Sequence, residues 1–121
     1  METAPILRAR NATFVDGFSA GDLPLPPRLD LVVVSCFDPR VDPGTYWGLG
    51  LGDAFVIRSV GGRVTDQVIM SVGMIHSLVR SVQGRSVPLE VAVVHHTECG
   101  AVRLADPAVR AELSATLAVE A

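Results

Sequence analysis

Two short motifs, about 60 residues apart, hold the side chains of this sequence that could do chemistry. The first is Cys-Phe-Asp-Pro-Arg at residues 36–40, and the second is His-Thr-Glu-Cys-Gly at residues 96–100. Thiolate sulfur and imidazole nitrogen are ligands that zinc prefers. His96 and Cys99 are separated by two residues, so one turn can direct both toward the same point, and Cys36 would complete a set of three. Three protein ligands with a fourth position left exchangeable are typical of a catalytic zinc rather than a structural one.

Asp38 and Arg40 follow Cys36 at intervals of two residues. In an extended chain this spacing puts the three side chains on one side, although Pro39 distorts the pattern. Arg40 can then pair with the Asp38 carboxylate through two parallel hydrogen bonds. A paired Asp38 stays off the metal, remains ionised and can accept a hydrogen bond from a zinc-bound water, whereas a released Asp38 could take the fourth position. An ordinary surface salt bridge, worth little to stability, is the competing interpretation.

The elements that must position these motifs alternate between strands and helices. We predict strands at residues 29–35, 54–59 and 87–94, helices at 5–18, 67–83 and from 107 to about 119, and a proline-rich connector at 23–27. Such alternation indicates an α/β fold with a mostly parallel sheet flanked by helices. Ligands of these sheets bind beyond the carboxyl ends of the strands. Both motifs follow a predicted strand, so we expect them to share one crevice.

Length and composition narrow the possible functions. We interpret the 121 residues as a single domain, with an N-terminal helix and connector at 1–28 and an α/β core at 29–121. The net charge of −3 argues against a nucleic-acid partner, and because all ten basic residues are arginine, Schiff-base lysine chemistry is excluded. No apolar run approaches the roughly 18–20 residues that span a bilayer. The first residues lack the apolar centre of a signal peptide, so we expect no membrane partner and a cytoplasmic location.

The sequence resembles the β-class carbonic anhydrases over about residues 31–103. The resemblance rests on C-x-D-x-R, on G-D-A-F-V-I-R-S-V-G-G at residues 52–62 and on H-T-E-C-G. The Thr-Asp pair at 65–66 and the doubled histidine at 95–96 resemble the small prokaryotic, archaeal-like branch. The resemblance implies zinc-dependent, reversible hydration of carbon dioxide to bicarbonate and a proton by a zinc-bound hydroxide. It also implies a homodimer or larger homo-oligomer with active sites at the subunit interface.

By the same resemblance, Cys36, His96 and Cys99 bind Zn²⁺, with Asp38 as a fourth ligand in a closed state, while Asp38 and Arg40 form the catalytic dyad. Two thiolates would neutralise the dication and make its bound water less acidic, so we predict activity that rises toward alkaline pH. A disulfide between the two cysteines is the alternative to ligation, but a cytosolic chain makes it less favoured.

The chain departs from the family pattern in two places. Residues 58–62 read R-S-V-G-G where the family usually has R-N-A-G-G, which places a bulkier Val60 near the crevice. The chain is also shortened at the C-terminus, so one sheet edge is expected to be uncovered or covered by a partner. These departures keep two alternatives open: a zinc-dependent hydrolase of carbonyl sulfide or carbon disulfide on the same scaffold, and a non-catalytic zinc-binding module.

The sequence also predicts roles for four further residues. Gly61 and Gly62 follow a strand and are expected to line the substrate crevice by close backbone approach. Pleat alternation points His95 away from His96, so we interpret His95 as a hydrogen-bonded core histidine. Arg58 is expected to form a buried or interfacial salt bridge rather than to contact substrate.

Overall fold

The computed structural model describes residues 2–117 of the chain. Its strands pair in parallel. The elements are α1 (Thr3–Asp16), β1 (Leu31–Cys36), α2 (Pro43–Tyr46), β2 (Ala54–Ser59), α3 (Asp66–Gln83), β3 (Glu90–Val93) and α4 (Pro107–Leu117), with 3₁₀ turns at Val60–Gly62 and Gly100–Ala105. The described strands form one sheet in the order β2-β1-β3, and both pairings are parallel. This confirms the predicted α/β class.

The central strand β1 is a run of β-branched residues buried on both faces. Val32, Val33 and Val34 are fully buried, which suits the middle of a parallel sheet. The register pairs Cys36 with Ser59 on β2 and Val34 with Val93 on β3. Because the strands are parallel, their carboxyl ends meet at one edge of the sheet, and both sequence motifs begin there.

Helix α3 covers one face of this sheet. The Thr65 side chain caps its N-terminus by accepting a hydrogen bond from the Val68 N–H, and Gly84 ends it in a left-handed conformation at φ 69°. Its buried face, which includes Ile75 and Val79, packs against Val32 and Val87. Full burial of each such aliphatic side chain stabilises the fold by about 1.5–3 kcal/mol. The helix begins one residue before the predicted range of 67–83 and ends where predicted.

The third strand is shorter than predicted, because pairing runs only from Glu90 to Val93. Glu90 lies opposite Leu31, the first residue of β1, so the preceding residues have no strand to pair with. Pro88 could not donate a ladder hydrogen bond in any case. Val87 is buried in the core instead of extending the strand. Of the other predicted boundaries, α1 begins and ends two residues early, and the predicted end of the last helix at 118–119 lies outside the described residues.

Helix α1 exposes its apolar residues. None of the residues in Thr3–Asp16 is buried, and the Phe14 side chain is 52% exposed. Phe14 packs only partly on Phe18, with ring centroids 5.3 Å apart. A helix of this length is marginal in water unless something packs against it. Within residues 2–117, no helix combines the length and the apolar character needed to cross a bilayer.

Candidate metal centre

Two loops at the carboxyl edge of the sheet bring the predicted ligands together. Cys36 is the last residue of β1, and His96 and Cys99 lie in the loop after β3. The Val94 N–H donates to the Val34 carbonyl at 2.8 Å, which holds the second loop against the first strand. The side-chain ligand atoms of Cys36, His96 and Cys99 all lie within 4.8 Å of one another. We call these three residues the metal centre.

The donor atoms of the metal centre fit a tetrahedral metal. The Sγ atoms of Cys36 and Cys99 are 3.7 Å apart and both thiols are free, so the alternative disulfide is not formed. Two sulfurs bound tetrahedrally at about 2.3 Å from zinc would lie ~3.8 Å apart. The His96 Nδ1 lies 2.9 Å from the Thr97 carbonyl, to which it donates when protonated, leaving Nε2 with its lone pair. That Nε2 is buried without a hydrogen-bond partner among residues 2–117, as expected of an atom whose lone pair is available to bind a metal.

The surroundings of Cys36 favour its thiolate, the form that binds metal. Burial raises the pKa of this thiol, but a hydrogen bond from the Asp38 backbone N–H and the adjacent side chains of His96 and Cys99 outweigh that effect. Together with the Gly61 N–H they lower the pKa of Cys36 from 9.0 to about 7. The adjacent Cys36 thiol in turn raises the pKa of His96. The two side chains therefore already interact as parts of one site.

Asp38 and Arg40 form the two-bond pair that the sequence predicts. Arg40 Nε donates to Asp38 Oδ1 at 2.9 Å and Nη2 donates to Oδ2 at 2.6 Å, while the Arg40 backbone N–H also donates to Oδ1 at 2.9 Å. The side-chain hydrogen bonds from Arg40 hold the pKa of Asp38 well below its usual range. The pair likewise raises the pKa of Arg40. Asp38 is 8% exposed, so an ionised carboxylate is held beside the metal centre.

Arg40 also joins the two loops, which sequence reasoning did not anticipate. Its Nη2 donates to the Glu98 carbonyl at 3.0 Å, across from the first loop to the second. Glu98 has φ 55°, a left-handed conformation that is uncommon for residues other than glycine. The acceptor is a backbone atom, so no residue type in the sequence signals this bond. The strained residue lies directly before the ligand Cys99.

Gly62 lets the ends of the strands lie close together. A Cβ at Gly62 would lie 2.7 Å from the Val94 carbonyl oxygen and 3.2 Å from the Cys36 nitrogen, and the residue has φ 66°. Gly62 is buried, so it approaches backbone, whereas Gly61 lines a cavity. Arg58 forms a salt bridge to Asp42 at 3.3 Å, but the pair is partly exposed rather than buried as predicted, and Arg58 also donates hydrogen bonds to backbone carbonyls.

Two cavities adjoin the metal centre. The smaller, of about 170 Å³, lies on the side of Cys36 and Asp38, and its walls include Phe37, Val60 and Leu104. The larger, of about 580 Å³, lies on the side of His96 and Cys99; its lining includes Val60, Gly61, Arg63 and His95. Val60, one of the two residues at which this segment departs from the family pattern, thus borders both.

The interpretation of His95 as a core histidine is wrong. His95 is exposed and lines the larger cavity. The error has a physical cause: β3 ends at Val93, two residues before His95, so pleat alternation does not extend to it. Val91 and Val93 are themselves 47% exposed, which means that this side of the sheet has no cover from the described residues.

Comparison with known proteins decides the family. Residues 31–118 match the family described as carbonic anhydrase. The chain is 36% identical over 98 residues to β-carbonic anhydrase 1 of Mycobacterium tuberculosis. This chain belongs to the β-carbonic anhydrase family. The match covers 81% of this chain but 55% of the relative, so the chain spans about half the length of the curated relatives it matches.

Two further relatives show how far the family likeness extends. A crystal structure of carbonic anhydrase from Streptococcus mutans superimposes with a TM-score of 0.75 at 37% identity, covering 100% of this chain and 69% of that one. A carbon disulfide hydrolase of Acidianus is 37% identical over 79 residues, or 65% of this chain and 35% of the hydrolase. The fold of the Streptococcus mutans carbonic anhydrase therefore accounts for the described elements, and the sequence likeness extends to a protein named for a different reaction.

Proposed function

We propose that this chain binds Zn²⁺ through Cys36, His96 and Cys99 and catalyses the reversible hydration of carbon dioxide to bicarbonate and a proton. The observation that carries the proposal is the Asp38–Arg40 pair beside the metal centre. A purely structural zinc is closed by its ligands and has no use for an oriented carboxylate at its edge. Membership of the β-carbonic anhydrase family supports the choice of reaction.

Each residue of the site has a distinct part in this chemistry. Zinc, when bound, lowers the pKa of a coordinated water and so supplies a nucleophile near neutral pH. Asp38, with a strongly depressed pKa, does not hold a proton at neutral pH, so it acts as a hydrogen-bond acceptor that orients the nucleophile. Arg40 keeps both carboxylate oxygens engaged and in place. The proton that the reaction releases therefore passes to solvent buffer rather than to Asp38.

The smaller cavity suits a small apolar substrate. Its volume of about 170 Å³ adjoins Cys36 and Asp38, and Phe37, Val60 and Leu104 supply apolar walls. Carbon dioxide carries no net charge and needs little hydrogen bonding before it reacts. An apolar wall beside an oriented nucleophile is therefore sufficient to receive it.

A metal assay combined with stopped-flow carbon dioxide hydration tests the proposal. We expect about one zinc per chain and a rate that rises with pH between about 6.5 and 9, because two thiolates reduce the charge of the metal and leave its water less acidic. Flat rates over this range would contradict the pH prediction. Stoichiometric zinc without turnover at about pH 8.5 would favour a non-catalytic zinc module.

Hydrolysis of carbon disulfide or carbonyl sulfide is the second candidate. The identity to a named carbon disulfide hydrolase, 37%, is as high as that to the carbonic anhydrases. These linear molecules need the same nucleophile and differ in size, so the bulk of Val60 at the cavity wall bears on the choice. Sulfide release from carbon disulfide, measured beside carbon dioxide hydration, separates the two. We expect the kcat/KM for carbon dioxide to be the greater.

We further propose that the chain acts as a homodimer or larger homo-oligomer in the cytoplasm. The unburied apolar side chains of α1 support association, as does Val56 on the edge strand β2, which is 44% exposed. Free thiols at a metal site suit a reducing compartment such as the cytoplasm.

A further inference from the structure

Arg58 connects strand β2 to the loop that carries the catalytic pair. It lies opposite Ser35, one residue before the end of the β1–β2 pairing, and its guanidinium contacts residues 36–42, here named the dyad loop. Arg58 Nε donates to the Cys36 carbonyl at 2.9 Å. Its Nη2 donates to the Asp38 carbonyl at 2.6 Å and to the Val41 carbonyl at 3.2 Å. One side chain thus bonds the backbone at the start, middle and end of the loop.

These bonds act where the sheet no longer supports the chain. The Phe37 N–H donates to the Ser59 carbonyl at 2.9 Å, and beyond that bond the dyad loop leaves the sheet. A turn bond from the Val41 N–H to the Asp38 carbonyl, at 3.1 Å, shapes the loop internally but does not anchor it to β2. The Arg58 guanidinium supplies that anchor, because its rigid fork can serve several acceptors at once, which a lysine ammonium on a flexible stem does less well.

We propose that Arg58 is a positioning residue that holds the dyad loop so that Asp38 stays paired with Arg40 and does not occupy the fourth coordination position of the metal. The proposal rests on the metal-binding function proposed above. Asp38 and the ligand Cys36 are separated by one residue, so a shift of the loop moves the carboxylate relative to the metal. Arg58 fixes the carbonyls of both residues and thereby their relative placement. The hydrogen bonds of Arg58 go to backbone carbonyls and to the Asp42 carboxylate, so it acts on the metal centre through the loop.

Anion binding to the cobalt(II)-substituted protein tests the proposal without reference to turnover. Cobalt(II) replaces zinc at thiolate and imidazole sites, and titration with thiocyanate, followed by visible absorption, reports whether the fourth position is open. We expect Arg58→Gln to weaken thiocyanate binding at least about tenfold, because the freed Asp38 competes for that position. In an Asp38→Asn background the same Arg58→Gln change is expected to have no effect, since the competing carboxylate is absent.

Two more variants control for charge and for general loss of stability. Arg28→Gln removes a similar arginine at the other end of β2, where Arg28 bonds Asp53 at 2.8 Å, and it should leave thiocyanate affinity unchanged. Arg58→Lys keeps the charge but not the fork, and we expect it to weaken thiocyanate binding nearly as much as Arg58→Gln. Circular dichroism and cobalt stoichiometry establish that each variant is folded and loaded. If Arg58→Gln does not fold, the Arg58→Lys titration decides.

The outcomes separate this proposal from the function on which it rests. Wild-type thiocyanate affinity in a folded, cobalt-loaded Arg58→Lys or Arg58→Gln protein would overturn the positioning role and leave metal binding intact. An equal loss in the Asp38→Asn background would also overturn it, because the effect would then not pass through Asp38. Failure of the wild-type protein to take up cobalt or zinc would overturn both.

Discussion

Arg40 bonds two acceptors on different loops, the Asp38 carboxylate and the Glu98 carbonyl. The first bond orients the carboxylate to which we assign a catalytic role, and the second supports the backbone next to Cys99. Removing the Arg40 side chain should therefore lower the rate of catalysis more than it lowers the retention of metal. Lysine would keep the charge but not the paired geometry that joins these acceptors.

We predict that Arg40→Ala lowers the kcat of carbon dioxide hydration by about 100-fold, since misplacing a group that orients the reactants by about 1 Å can cost about 10²-fold. Zinc content, measured by atomic emission, should fall less than in Cys36→Ala, which removes a ligand. Arg28→Ala, at an exposed ion pair away from the site, serves as the matched control. Zinc loss as complete as in Cys36→Ala would show that Arg40 is structural.

At the scale of single residues, the sequence predicts contacts between side chains better than it predicts hydrogen bonds from side chains to the backbone. Cys36, His96 and Cys99 could be grouped from the sequence because their residue types suit one metal and each follows a strand. The Asp38–Arg40 pair could be predicted from its spacing together with its place directly after a predicted metal ligand. The roles of Glu98 and Arg58 could not, because their partners are carbonyl oxygens, which every residue has and which only the folded backbone brings into reach.

Among the elements, β2 is held at its start by Asp53. Its carboxylate accepts hydrogen bonds from the Gly50 N–H at 2.9 Å and from Arg28 at 2.8 Å. The Gly50 N–H first, and then Arg28, lower the pKa of Asp53. Because the folded pKa lies below the ordinary carboxyl value of about 3.9, this carboxylate favours the folded state above about pH 4, and the benefit is lost as the pH falls further.

We predict that the wild-type chain and Asp53→Asn differ most in urea stability near neutral pH and converge as the pH is lowered through about 4 toward 3. Urea midpoints at several pH values measure this. Arg28→Gln, which removes one of the two donors, should show a smaller difference of the same sign. A gap that widens on acidification would contradict the assignment.

The strand ends at the metal centre are close enough that a methyl group does not fit. We predict that Gly62→Ala destabilises the fold by about 1–3 kcal/mol more than Gly84→Ala in urea unfolding. Both glycines have positive φ, 66° and 69°, so the conformational cost is shared. Only Gly62 adds a steric clash, with the Val94 carbonyl, because a Cβ at Gly84 would have no heavy atom of the described residues within 4 Å. Equal losses would mean that the backbone relaxes around the methyl.

The elements themselves were predicted with uneven success, for reasons that the residues explain. Residues 54–59 are a strand in both prediction and structure, because a turn at Gly52 and the Gly61–Gly62 pair delimit them. The apolar residues from Val87 onward gave a strand that is too long, since periodicity cannot tell a paired residue from a buried unpaired one. The 3₁₀ turn at Gly100–Ala105 has no clear signal in the sequence and was not predicted.

For the whole molecule, the apolar side chains that α1 exposes bear on the proposed assembly. We predict that Phe14→Asp, at a side chain 52% exposed, lowers the oligomer mass seen by light scattering without unfolding the chain. An aspartate buried in an apolar interface would pay a large desolvation penalty, whereas in an exposed monomer it would not. Asn11→Asp adds the same charge to the same helix at a polar position and should leave the mass unchanged.

A wild-type chain that is monomeric at all concentrations would contradict the proposed homo-oligomer. A Phe14→Asp variant that stays associated would instead move the contact away from α1, with the β2 edge at Val56 as the next surface to test.

The two thiols of the metal centre are 63 positions apart in the sequence, so a metal bound to both would cross-link distant parts of the chain. It would close a ring that contains β2, α3 and β3 and leave α1 and α4 outside. A ligand that binds the folded state alone stabilises it by mass action. Metal should therefore slow hydrogen exchange most at amides inside the ring, while those of α1 exchange as before. Zinc supply would then set how long the catalytic core stays folded as well as whether it turns over.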